Sequence, residues 1–323
     1  MEVWHQMLNE ASAWFSYHNV TALQILVAVG LAVAFGAIWL TAHWPPVLKR
    51  RWWWAIGVAS AFLAMAAYAF VRTPLQFYYD KLVNHFLNST TISDWIMLLG
   101  IPSVIFSGLV QEGAKMVPMV VYWQKVGRRI TPATGLAIGA VAGAAFGIFD
   151  AFQVFGTLFG SGWTTAAFGS GFNGIATFWE RFFTIGFQTA ASAMVGYGLA
   201  RGKGWQYYLV AAGFHALFNY SYYFYAKQYL GLVQVETLLA VIAVAVTAVV
   251  LIVRYRLRRD FPGEVAYDPV LFLEYEERYE AEYQAAVAEA AGTANNVRSG
   301  LGEDTVSPPE GPSSGTEGEE KTG

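Results

Sequence analysis

The stretch ATGLAIGAVAGAAFGIFDAFQVFGTLF, Ala133–Phe159, holds one acidic residue, Asp150, and no Lys or Arg. A membrane span needs about 20 mostly apolar residues, because the hydrocarbon layer is about 30 Å thick and a helix rises about 1.5 Å per residue. Gly135, Gly139, Gly143 and Gly147 recur at every fourth position of the stretch. On a helix that spacing lines one face, and a ridge of small residues lets a neighbouring backbone approach closely. The stretch therefore reads as a membrane helix that packs face-on against another.

Working outward, six further stretches meet the same length requirement: Thr21–Ala42, Trp52–Val71, Trp95–Trp123, Phe178–Ala200, Trp205–Tyr225 and Leu230–Val253. The expected fold is all-α, a polytopic membrane bundle of about seven transmembrane helices. Pro102 in the third span predicts a kink or strong tilt there. Hydrophobic residues make up 55% of the chain and charged residues 13%, about half the usual charged share of a soluble domain. No Lys or Arg precedes the first apolar run, so that run is expected to be a retained helix and not a cleaved signal. There is no cysteine, which excludes disulfides, thiol catalysis and thiolate metal sites.

Charge divides the chain. Residues 1–259 contain 17 Lys and Arg against 8 Asp and Glu, whereas the remainder contains 3 against 15. The expected organisation is a membrane domain over 1–259 with a site-bearing core at 95–225. An acidic, possibly helical cytoplasmic segment follows at 260–291, then a disordered acidic tail at 292–323. In the short connections, basic residues cluster at Lys49–Arg51, Lys125–Arg129, Arg201–Lys203 and Arg254–Arg259. The alternate connections hold only Arg72, Lys81 and Lys227, with Arg181 at a span edge. By the excess of basic residues on the cytoplasmic side, the N-terminus is outside and the C-terminus cytoplasmic. Tryptophans such as Trp14, Trp95, Trp53 and Trp205 fall near span ends, where the headgroup level favours them. Topology accounts for the basic residues, and no nucleic-acid motif or phosphate-binding glycine loop is present, so no nucleic-acid partner is expected.

Ionisable groups inside the hydrocarbon are costly and need a partner or a function. Glu112, Asp150 and Glu236 fall within spans, with Gln111, Lys115, Gln188, His215 and Asn219. Counting residues back to the cytoplasmic charges puts Glu112, Gln188 and His215 at about 18–20 Å, close to one plane, and Asp150 at about 26 Å. Glu112 with Lys115 and His215 with Asn219 share helix faces at i,i+3 and i,i+4.

At these residues the chain resembles the PrsW family of intramembrane proteases, within the wider group of CAAX prenyl endopeptidases. The family pattern is an EExxK motif, an FGxxE-like motif, a helix with a mid-membrane His before a GY-like ending, and an HxxxN-like motif. This chain reads LVQEGAKMVP (Gln111, Glu112, Lys115), FGIFDAF (Phe146, Gly147, Asp150), FQTAASAMVGYGLARG (Gln188, Gly196, Tyr197) and GFHALFNY (His215, Asn219). The resemblance covers Trp95–Tyr225 and departs from the pattern at Gln111, Asp150 and Gln188. It implies an endopeptidase that hydrolyses a peptide bond in or near a transmembrane segment of a single-span membrane protein, such as an anti-sigma factor. The implied setting is the bilayer of a bacterial plasma membrane. Glu112 would activate water, His215 and Asn219 would polarise the carbonyl and stabilise the oxyanion, and Asp150 would assist His215. Zinc would need three protein ligands and an open position, for which Glu112, Asp150 and His215 are the candidates. A metal-free glutamate mechanism demands less, so no cofactor is favoured. Two alternatives remain: a catalytically inactive homologue that acts as a binding or scaffolding subunit, and a transporter using the same polar plane.

Overall fold

A computed structural model describes residues 2–14, 19–43, 52–128 and 130–260, together with Ala285, Ala288 and Glu289. Nearly all of the expected acidic segment 260–291 and the whole of the expected tail 292–323 lie outside the described residues. Among the described residues every regular element is helical, so the protein is an all-α polytopic bundle.

The deciding stretch is helix α7, Pro132–Gly160, preceded by α1 (Glu2–Ala13), α2 (Ala22–His43), α3 (Trp52–Ala67), α4 (Thr73–Phe86), α5 (Ser89–Asp94) and α6 (Ile96–Lys125). It is followed by α8 (Phe172–Ala200), α9 (Gly204–Ala226) and α10 (Leu232–Asp260). Thr131 caps α7, its hydroxyl accepting from the Thr134 N–H at 3.1 Å, and Pro132 supplies a first-turn residue that has no N–H to satisfy.

The core is the face between α7 and α8, and the glycine ridge makes it. A Cβ at Gly135, Gly139 or Gly143 would run into the carbonyl oxygens of Gly196, Ser192 and Gln188 respectively, and at Gly147 it would stand 3.1 Å from the Ile185 Cα. Gly196 returns the same constraint against the Gly135 carbonyl. Lipid is as apolar as leucine, so helices in a bilayer associate through this kind of close packing and not through a hydrophobic drive. The outside carries the large apolar residues instead: Leu23, Leu26 and Ile38 on α2, and Val233, Val241 and Ile252 on α10, are exposed.

By length and composition five segments suffice to cross a membrane: Ala22–His43, Trp53–Phe86, Ile96–Lys125, Pro132–Gly160 and Leu232–Leu257. The other two expected spans are the long helices α8 and α9, whose apolar character is diluted by Glu180 and Arg181 and by a run of tyrosines. The expected second span, Trp52–Val71, lies within the candidate span Trp53–Phe86, whose helix runs on through a π turn at Tyr68–Arg72 into α4. The connection expected between the second and third spans is mostly helical, because TPLQFYYDKLVNHF is amphipathic and carries Pro74 in the first turn of α4. Trp14, read as a headgroup-level residue, is buried, stacked on Phe149 with ring centroids 5.8 Å apart.

Candidate functional site

Three helices bring their polar residues together. On α6, Glu112 and Lys115 occupy one face a turn apart, and the Lys115 ammonium donates to Glu112 Oε1 at 2.6 Å. The same ammonium donates to Gln188 Oε1 on α8. On α9, His215 Nδ1 lies 2.7 Å from Glu112 Oε1. Glu112 is 1% exposed, Lys115 0% and His215 3%, so all three are buried. Of the three residues that helical rise puts near one plane, Glu112 and His215 touch, and Gln188 joins them through Lys115.

Packing fixes each member. The Lys115 ammonium stands 5.2 Å from the Phe146 ring centroid on α7, and Ser60 Oγ of α3 donates to the Lys115 carbonyl at 3.2 Å. The His215 ring meets Phe187 edge-on at 5.9 Å, and Phe187 is itself stacked on Phe218 at 4.7 Å. Glu112 Oε2 is buried without a hydrogen-bond partner.

Beside this unit lies a cavity of about 360 Å³, lined among others by Gln111, Asp150, Arg181, Gln188, His215 and Asn219. Glu112 and Lys115 are not among its lining residues. Gln111 Nε2 and Asn219 Nδ2 both donate to the Ser107 hydroxyl, at 2.9 and 3.1 Å. Ser107 thus organises the two amides, a role invisible in the motif reading although it stands one turn before Gln111. The cavity is polar and large enough for several waters.

Asp150 lies apart from the unit. Its carboxylate takes an ion pair from Arg181 Nη1 at 2.5 Å, and Arg181 also binds Glu180, which accepts from the Tyr222 hydroxyl. Asp150 therefore holds an arginine and does not orient His215. Arg181 escaped the sequence reading because it was placed at a span edge; an unmatched carboxylate in a neighbouring span was the available signal.

The donor set does not suit zinc. Among the described residues no three His, Asp or Glu side chains come together as a metal-ion group, and of the three candidate ligands Asp150 is engaged by Arg181.

Compared with protein-family models, with curated proteins and with solved structures, the chain matches none. Fold and site define a class: a multi-pass membrane protein with a buried carboxylate–imidazole–ammonium unit beside a polar cavity.

Proposed function

We propose that the protein is an intramembrane endopeptidase of the PrsW type, hydrolysing a peptide bond in or near the transmembrane segment of a single-span membrane protein. The observation that carries this reading is the Glu112–His215 contact at the wall of a polar cavity within a membrane bundle. A carboxylate that accepts the Nδ1–H of an imidazole fixes its tautomer and leaves Nε2 as a base.

In this reading His215 takes a proton from a cavity water as the water oxygen attacks the scissile carbonyl carbon. The proton then passes to the leaving amine nitrogen as the C–N bond breaks. Glu112, buried behind His215, is a positioning residue that offsets the imidazolium charge. This exchanges the roles expected from the sequence, in which Glu112 itself activates water, because Glu112 is closed off from the cavity. Asn219 Nδ2 and Gln188 Nε2 offer N–H groups toward the developing oxyanion. Lys115 pairs with Glu112 and fixes the Gln188 amide by donating to its oxygen.

The proposal includes seven spans, with α8 and α9 crossing the bilayer, the N-terminus outside and the C-terminus cytoplasmic. It is supported by the alternation of Lys and Arg between connections. The setting is a bacterial plasma membrane. The test is incubation of the reconstituted protein with a panel of single-span substrates, with products located by mass. Cleavage within or beside the transmembrane segment is expected, and its absence across the panel would remove the reading. A second reading, a non-catalytic binding subunit, is favoured by Gln111 at the cavity wall where the family pattern has an acid. It predicts no wild-type cleavage while a single-span partner is still retained.

A further inference from the structure

Arg72 ends the π turn at Tyr68–Arg72 and lines the same cavity from a helix outside every motif discussed above. A π turn shifts the register of a helix and recurs at functional positions. The Arg72 guanidinium lies 4.9 Å from the Tyr68 ring centroid and donates to the Tyr68 hydroxyl at 3.3 Å. Among the described residues no ion pair to Arg72 is formed, and its buried Nε has no hydrogen-bond partner. The other guanidinium of the cavity differs in being neutralised, since Arg181 pairs with both Asp150 and Glu180, although its Nε too is buried without a partner. Lys115 is ion-paired with Glu112 and also donates to Gln188.

A guanidinium half-withdrawn from solvent with an unused edge is a receptor for a planar anion, because its N–H groups match the two oxygens of a carboxylate. Ser103 and Tyr223 also line the cavity and offer hydroxyls. We propose that Arg72 anchors a carboxylate of the bound peptide, either its C-terminal carboxylate or an acidic side chain, and so selects which peptides enter the cavity. This rests on the reading of the cavity as a peptide site. The surplus negative charge of the Glu180–Arg181–Asp150 cluster gives Arg72 a competing role as a distant counter-charge, which the test separates.

The test measures binding and does not need turnover. Full-length protein in a zwitterionic detergent is titrated with three single-span peptides: one with a free C-terminal carboxylate, one amidated, and one amidated with an Asp near its end. Wild type is expected to bind at least one carboxylate peptide about tenfold more tightly than the neutral one, the scale of one charge-assisted hydrogen-bonded pair. Arg72→Gln should erase that preference, while Arg72→Lys, which keeps the charge without the planar fork, should keep only part of it. Melting curves of the variants report any loss of fold. A preference that survives in Arg72→Gln, equal binding of all three peptides by wild type, or no binding of any, would overturn the proposal. An Arg72→Gln variant that loses thermal stability yet keeps the preference would assign Arg72 to charge balance. If the peptides are cleaved without any carboxylate preference, the anchor fails and the peptidase reading stands. If the preference is present but nothing is cleaved, the anchor stands and the peptidase reading fails.

Discussion

Glu112 and Lys115 are each fully enclosed, so neither can be removed alone without stranding the other's charge. Breaking a buried pair from one side typically costs about 3–5 kcal/mol, whereas replacing both partners with apolar residues costs far less. Lys115→Met is therefore expected to destabilise the protein strongly, and Glu112→Met with Lys115→Met to restore much of that loss, as read by reversible denaturation in mixed micelles. If the double replacement is no more stable than Lys115→Met alone, the two residues do not act as a pair. A similar argument holds for Arg181, which carries both Asp150 and Glu180. Arg181→Met should lower the melting temperature, and adding Asp150→Asn should recover part of it. The shared depth of Glu112, Gln188 and His215 was legible because depth along a helix is arithmetic, and Lys115 followed from its i,i+3 spacing to Glu112. The partner of Asp150 was not, since helical rise gives depth but not the direction in which a side chain faces.

Glycines supply a test at the level of elements. Gly139 and Gly143 have the α8 backbone where a Cβ would go, whereas Gly30 on α2 has nothing within 4 Å. Ala at 139 or 143 must push two helices apart and should cost about 1–3 kcal/mol. Gly30→Ala should instead add up to about 1 kcal/mol through helix propensity. Equal effects at 30 and 143 would mean that the ridge does not set the α7–α8 distance. The four-residue glycine period announced a close helix contact without naming its partner. That partner became evident only from Gly135 and Gly196 facing each other. Helices α1, α4 and α5 were not foreseen, because short polar amphipathic segments carry none of the length signal that marks a span.

At the scale of the molecule, the absence of native cysteine makes orientation directly measurable. Single cysteines at Lys203 and Gly169 should react differently with a membrane-impermeant maleimide in intact cells, with Gly169→Cys labelled at once and Lys203→Cys only after permeabilisation. The reverse pattern would invert the topology. Within the bundle the carboxylate–imidazole contact is buried and stands beside a polar cavity. The proposed peptidase acts through His215. The most direct measurement is the initial rate of cleavage of a single-span substrate in proteoliposomes, wild type against His215→Ala, at matched amounts of folded protein. A loss of at least about a hundredfold is expected, the ordinary contribution of a general base. Cleavage by His215→Ala at the wild-type rate would contradict it.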